Sequence, residues 1–186
     1  MFASVFTIPN VEVLPYNPEW KKWFKELKNP VWNQIHDLIN NIVHVGSTSI
    51  EGMSAKPIID MDIVIDNWDI VPEIVRRLEP LGYRHVGDLG IAEREVFKHE
   101  NPSYPHHLYV CQKDSTAYRN HVLLRKHLLE NSEDFNRYRD LKTRLASSVN
   151  QREDYGRLKT ELILEFLEKE GISKKEIEKI RKENQG

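Results

Sequence analysis

The sequence predicts an α/β (α+β) domain: a small mixed β-sheet flanked by helices and closed by a helical C-terminal segment. Up to about Gln112, apolar runs of strand type such as IVHVG, IIDMDIVI and HHLYVCQ alternate with segments whose apolar residues recur at helical spacing. Beyond Gln112 only the helical spacing continues. The 186 residues contain no Pro/Gly/Ser-rich linker, so these parts belong to one domain.

Val11 to Leu14 reads as a short strand. Asn17-Pro18 pairs a capping residue with proline at the first helical position, and opens a helix through Trp20, Trp23, Phe24 and Leu27. Asn29-Pro30 repeats the signal and predicts a second helix through Trp32, Ile35, Leu38, Ile39 and Ile42, with the tryptophans as core residues of the two helices. The strand IVHVG ends at Gly46, and the polar turn STSIEGMSAKP leads into the strand IIDMDIVI. Asp69 caps a helix that Gly82 ends. Strands around YRHV, REVFKHE and HHLYVCQ follow, with turns at Gly87–Gly90 and Asn101-Pro102.

The remainder is helical: one helix from about Thr116 to Glu130, and one after Ser132 carrying Tyr138, Leu141, Leu145 and Val149. A third runs from Asn150, with Glu153 in the capping-box position, to Gly171. Residues 1–172 thus form the domain, a mixed sheet core to about 112 and helices over 113–172. Residues 173–186, opened by Ser173 and Glu176, form a charged, solvated helix or tail.

The totals narrow the function. Twenty-seven Lys and Arg against 29 Asp and Glu lack the broad positive field of a dedicated nucleic-acid binder, though a local basic patch remains compatible. Cys111 is the only cysteine, which rules out an internal disulfide and argues against a thiolate zinc cage. The start MFASVFTIPNVEV has no basic n-region, and no apolar run approaches the ~20 residues of a spanning helix. A cytoplasmic protein with no membrane partner is the expectation.

The most informative stretch is HVGSTSIEGMSAKPIIDMDIVI, His44 to Ile65. Alternation along the strand puts Asp60 and Asp62 on one face, with Met61 and Ile63 on the other. Two ionised carboxylates amid Ile, Met and Val are costly to bury unpaired. A shared divalent cation, magnesium or manganese, removes that cost and completes its shell with phosphate oxygens. Gly46 lets the backbone approach a ligand, and Ser47, Thr48 and Ser49 offer hydroxyl and amide donors, with an anion drawn to the N–H groups if a helix starts there. Phosphate at this turn and metal at Asp60 and Asp62 are the parts nucleotidyl transfer needs. Separately, GSTS is a capped turn and D-x-D a surface pair. Together, inside an apolar run, they read as a site.

This segment resembles the HVGSTS…G…AKPIID segment of the GrpB-like proteins, in the nucleotidyltransferase-fold superfamily. The resemblance continues in LPYNPEWKKWF, HHLYV, HVLLRKHL and YRDLKTRLASSVNQREDYGRLKTELI, from Val11 to about Phe166. It implies a nucleotidyltransferase-like sheet and roles for Gly46, Ser47, Asp60 and Asp62. The wider superfamily adds a third acid on a neighbouring strand, for which Glu95 in REVFKHE is the candidate metal ligand. The strand HHLYV carries His107 and Tyr109 at the place a carboxylate would take. A domain of this type also occurs behind dephospho-CoA kinase, which implies an accessory role.

His106 and His107 face opposite sides of their strand, and His107 shares a face with Tyr109 and Cys111. His107 is read as a ligand or proton carrier, or else as a hydrogen-bonded structural histidine. His121 and Arg125 lie four apart on one helix, as do Tyr155 and Lys159, with Ile163 next in that row. Arg125, Lys159 and Lys56 are the ranked phosphate partners, although Lys159 on an apolar stripe also fits snorkelling.

The leading expectation is magnesium-dependent transfer of a nucleoside monophosphate from an NTP to a hydroxyl of a small molecule or protein. The alternative is a non-catalytic domain that binds a nucleotide or assists a protein partner. A site of two carboxylates closed by His107 favours that alternative or an altered chemistry; three carboxylates favour catalysis.

Overall fold

The computed structural model describes residues 12–148 and 152–183. Of the sequence expectations, those on Val11, Val149 and Asn150 fall outside these residues, as do those on the side chains of Glu153 and Tyr155. Leu14 forms a single antiparallel bridge to Ala55.

Helix α1 spans Glu19–Ile35. Asn17 Oδ1 accepts from Glu19 N at 3.0 Å, as the first Asn-Pro pair predicts. The second pair does not open a new helix, because Pro30 lies inside α1. An internal proline costs about 3 kcal/mol. The stripe Trp20, Leu27, Val31 and Ile35 nevertheless runs past it and is buried against the sheet. Burying Val31 and Ile35 contributes roughly 1.5–3 kcal/mol each, enough to offset that cost. Trp23 and Trp32 pack at the margin of this core. Leu38 and Ile39, expected on a helix, lie beyond the end of α1, and Ile42, read both as the end of that helix and as the head of the strand IVHVG, belongs to the strand.

Five strands follow: β1 (Asn41–Val45), β2 (Ile59–Ile65), β3 (Tyr83–His85), β4 (Arg94–His99) and β5 (His106–Gln112), in the order β1-β2-β5-β4-β3. Only β2 and β5 are parallel, so the sheet is mixed. Between β2 and β3 lies α2 (Val71–Leu78). The cap ahead of it is Asn67 rather than Asp69: Asn67 Oδ1 accepts from Asp69 N at the start of a short 3₁₀ turn. Helices α1 and α2 cover one sheet face, the side of Met61, Ile63, Phe97, Leu108 and Val110.

The C-terminal helices are α3 (Thr116–Glu130), α4 (Ser132–Ser148), α5 (Arg152–Lys169) and α6 (Lys174–Glu183). Ser173 and Glu176 form the reciprocal capping box the sequence signals: Glu176 Oε2 accepts from Ser173 N, and Ser173 Oγ accepts from Glu176 N. The segment is not a solvated tail. Ile177 and Ile180 are buried against Leu164, Leu167 and Ile172, and Arg119 pairs with Glu176 at 2.6 Å. Among the described residues no helix is long and apolar enough to cross a membrane.

A buried ionic knot ties α3, α4 and α5 together. His127 bonds Glu170 through Nδ1 at 3.0 Å and Asp134 through Nε2 at 2.9 Å, and Asp134 also accepts from Arg137 and Lys169. Burial works against the charged form of Asp134, but hydrogen bonds from Lys169, His127 and Arg137 outweigh it and hold the carboxyl below its ordinary value of 3.8. Asp134→Ala should lower stability by about 3 kcal/mol at neutral pH. A depressed carboxylate pKa gives stability that is present above the unfolded value and lost as pH falls through the folded one. Urea denaturation should therefore show the gap between wild type and variant closing below pH 3.8.

A candidate anion-binding site on the second sheet face

The sheet's other face carries polar chemistry, and the register sets which residues meet. Asp60 lies opposite His107 on β5 and Val45 on β1, while Asp62 lies opposite Tyr109 and Val43. Val45 runs into Gly46, whose φ of 69° and ψ of −176° suit glycine alone. A Cβ on Gly46 would overlap Asp60 Oδ2 and stand 3.0 Å from Asp60 Cγ. Glycine is what lets the turn lie against that carboxylate.

Residues Ser47–Ser49 form a single 3₁₀ turn rather than the start of a longer helix. Thr48 is buried and its hydroxyl is committed, donating to Ile58 O at 3.2 Å and accepting from His44 Nε2 at 3.0 Å. Burial pushes His44 down to about 4, with Asp60 raising and Arg125 lowering it, so its neutral ring is the donor that Thr48 needs. The phosphate-donor role expected of the Thr48 hydroxyl does not hold: that group braces the turn.

A cavity of about 460 Å³ opens between this turn, the sheet face and helices α3 to α5. Gly46, Ser47, Thr48, Lys56, Asp60, His107, Arg125 and Lys159 all line it, so candidates scattered over more than a hundred residues of sequence share one space. His121 and Lys142 line it too. Arg125 Nε is buried and makes no hydrogen bond to the described residues.

Each carboxylate of the pair is met by an imidazole. His107 Nδ1 donates to Asp60 Oδ1 at 2.8 Å, and His121 Nδ1 donates to Asp62 Oδ2 at 2.8 Å. Burial lowers the His121 pKa, but the charge and hydrogen bond of Asp62 outweigh it and hold the ring above its ordinary value. Asp62 is fully buried and its Oδ1 has no hydrogen-bond partner. Arg94 lies over the Tyr109 ring at 4.6 Å, adding positive charge to the same face. Burial, with the charges of Asp60 and Asp62, raises the Tyr109 hydroxyl. Cys111 is also raised by burial and by Asp62, so it is an inert thiol.

Glu95 is not part of this group. It pairs in register with Val110, on the α1/α2 face, and bonds His85 there. Its neighbours Arg94 and Val96 are the residues that reach the Asp60 face. Among the described residues no three His, Cys, Asp or Glu side chains are gathered as ready metal ligands. Asp60 lines the cavity, whereas Asp62 is fully buried and is not among the lining residues. Asp60 and the unpartnered Oδ1 of Asp62 are the groups that could hold one divalent ion. This donor set does not fit the second ion that a third carboxylate would hold.

The sequence reading passed over Lys142 and named His121 only as a neighbour of Arg125. Lys142 stands four after Tyr138 and three before Leu145, so a lysine on the buried stripe of α4 was the available signal. His121 was visible as a neighbour of Arg125, but its partner Asp62 lies 59 positions away and only the fold joins them.

A family model described as GrpB protein matches residues 10–169. Over 158 residues the chain is 34% identical to the UPF0157 protein YqkA of Bacillus subtilis (strain 168), covering 81% of this chain and 46% of that protein. It thus spans about half of that relative's length. The crystal structure of conserved protein GrpB from Enterococcus faecalis matches with a TM-score of 0.74 at 26% identity, over 86% of this chain and 99% of that one. A chain of the GLD-2/RNP-8 complex matches with a TM-score of 0.53 at 17% identity, over 81% of this chain and 59% of that one, a likeness of fold alone. Topology, turn and family match agree: the chain belongs to the GrpB protein family and has the nucleotidyltransferase fold.

Proposed function

We propose that the chain is a nucleotide-binding domain whose cavity holds the polyphosphate of a nucleoside triphosphate, with Asp60 and Asp62 as the residues that would hold one magnesium or manganese ion. One observation carries the reading: Lys56, Arg125 and Lys159 line the same cavity as the Gly46 turn and Asp60. Cations and a glycine turn suit phosphate oxygens. The ion, when bound, offsets phosphate charge and orients the chain of phosphates. The two carboxylates are closed by histidines and no third acid among the described residues shares their face, which favours binding over two-metal catalysis.

A second reading has its own support, the orphaned Asp62 Oδ1 and the His107–Asp60 pair. In it, an acceptor hydroxyl oxygen of a small molecule or protein bonds the α-phosphorus, the bond to the bridging oxygen breaks, and pyrophosphate leaves. The hydroxyl proton passes to His107 Nε2, since Nδ1 is held by Asp60.

Calorimetric titration with a non-hydrolysable ATP analogue tests the proposal. Binding should strengthen with magnesium in the wild type, and Asp60→Ala should abolish that gain. An analogue that fails to bind at millimolar concentration removes the proposal. Magnesium-dependent pyrophosphate release that disappears in Asp60→Ala would establish the second reading instead.

A further inference from the structure

His107 has a ring nitrogen to spare. Its Nδ1 donates to Asp60 Oδ1 at 2.8 Å, so in the neutral ring the proton sits on Nδ1 and Nε2 keeps its lone pair. Among the described residues no hydrogen bond engages Nε2. The side chain is about half exposed, and it lines the cavity together with Gly46, Asp60 and Arg125. The imidazole is also held in place, with Nδ1 on Asp60 and the Tyr109 ring 5.9 Å away. His121 differs, because it is mostly enclosed and its partner Asp62 is fully buried.

The pairing leaves Asp60 able to serve an ion as well. Oδ1 takes the imidazole, while Oδ2 lies against the Gly46 turn. A carboxylate that fixes the tautomer and orientation of an imidazole makes the opposite nitrogen the reactive one. An acceptor hydroxyl sheds a proton as it attacks phosphorus, and among the described residues no third acid on that face takes it. An imidazole attacks with a lone pair it already holds. Arg125 Nε, buried in the same cavity without a hydrogen-bond partner among the described residues, is a donor available to phosphoryl oxygens.

We propose that His107 Nε2 is a nucleophile toward the α-phosphorus of a bound nucleoside triphosphate, so that the chain carries a nucleoside monophosphate on this histidine before passing it on. This rests on the polyphosphate reading of the cavity, and gives His107 a covalent role in place of a proton-carrying one. The Nε2 lone pair forms the bond to the α-phosphorus. The bond from that phosphorus to the bridging oxygen breaks, and its electron pair leaves with pyrophosphate. The Nδ1 proton stays on the ring, whose positive charge faces Asp60. An acceptor hydroxyl, or water, then bonds the phosphorus and gives its proton to solvent, and the N–P electron pair returns to Nε2.

The test incubates the full chain with magnesium and ATP labelled at the α- or the γ-phosphorus, without acceptor, and follows label on the denatured protein. The wild type should take label from the α-phosphorus alone, stable to alkali and released by mild acid, as a phosphorus–nitrogen bond requires. Roughly one pyrophosphate per chain should be released at once, and the intact mass should rise by one nucleoside monophosphate. His107→Ala should take no label, and added imidazole should restore pyrophosphate release by forming the free imidazole–nucleotide adduct. Calorimetry with a non-hydrolysable ATP analogue separates the two readings. A wild type that binds the analogue but takes no label, or takes it only from the γ-phosphorus, overturns the proposal and leaves nucleotide binding intact. Label that survives acid, or that persists in His107→Ala, overturns it too. Failure to bind the analogue overturns both readings. Should His107→Ala not fold, the position of the label in peptides of the wild type decides alone.

Discussion

Gly46→Ala should cost the protein both its turn and its ligand. The φ of 69° with ψ of −176° is a glycine-only conformation, and holding alanine there costs about 1–3 kcal/mol. The new methyl would also overlap Asp60 Oδ2, so Asp60 must move and give up the 2.8 Å bond from His107. Urea denaturation should show a loss of about 2–4 kcal/mol, the strain plus the displaced carboxylate. Where the variant is still folded, affinity for a nucleotide analogue should fall at least tenfold. Gly52→Ala is the control. Its φ is 79°, but a Cβ there meets only Phe135 Cζ at 3.5 Å, an ordinary contact. It should show backbone strain alone, about 1 kcal/mol, with binding unchanged. If Gly46→Ala binds as the wild type does, the close approach of turn and carboxylate has no bearing on the ligand.

The two aspartates should separate under substitution. Asp62 is fully buried and bonds His121, with Arg94 also acting on that imidazole. Asp62→Ala leaves those positive groups together without their counter-charge, which should cost roughly 3–5 kcal/mol. The Asp60 side chain is 29% exposed in the cavity, so Asp60→Ala should cost about 1 kcal/mol or less. Its effect belongs to ligand binding, as the loss of the magnesium-dependent gain. Denaturant midpoints of the two variants read side by side check the contrast. Equal losses would mean that Asp62 is no more a part of the fold than Asp60.

The asymmetry explains how far the sequence could be read. Alternation alone places Asp60 and Asp62 on one face, and the apolar run around them shows that this face is enclosed. The Gly46 turn next to the pair was likewise visible. What alternation does not give is the register between strands. Glu95 and Arg94 are adjacent, and only the pairing of Glu95 with Val110 decides that the arginine, not the acid, reaches the aspartates. Pro30 shows the opposite limit. The local signal for a helix start was sound, but the buried stripe from Trp20 to Ile35 outweighed it. Ile177 and Ile180 show it again, because a highly charged segment needs only two well-spaced apolar residues to dock. Lys142 was legible as a lysine on a buried stripe, but that it shares one cavity with Lys56 and Lys159 depends on the fold.

The most direct measurement is a crystal structure with a non-hydrolysable nucleoside triphosphate and manganese. Phosphate density is expected against the Gly46–Thr48 turn and the side chains of Lys56, Arg125, Lys142 and Lys159, with one anomalous peak at Asp60 and Asp62. A nucleotide bound outside this cavity, or an occupied cavity whose phosphates point away from those cations, would contradict the proposed function.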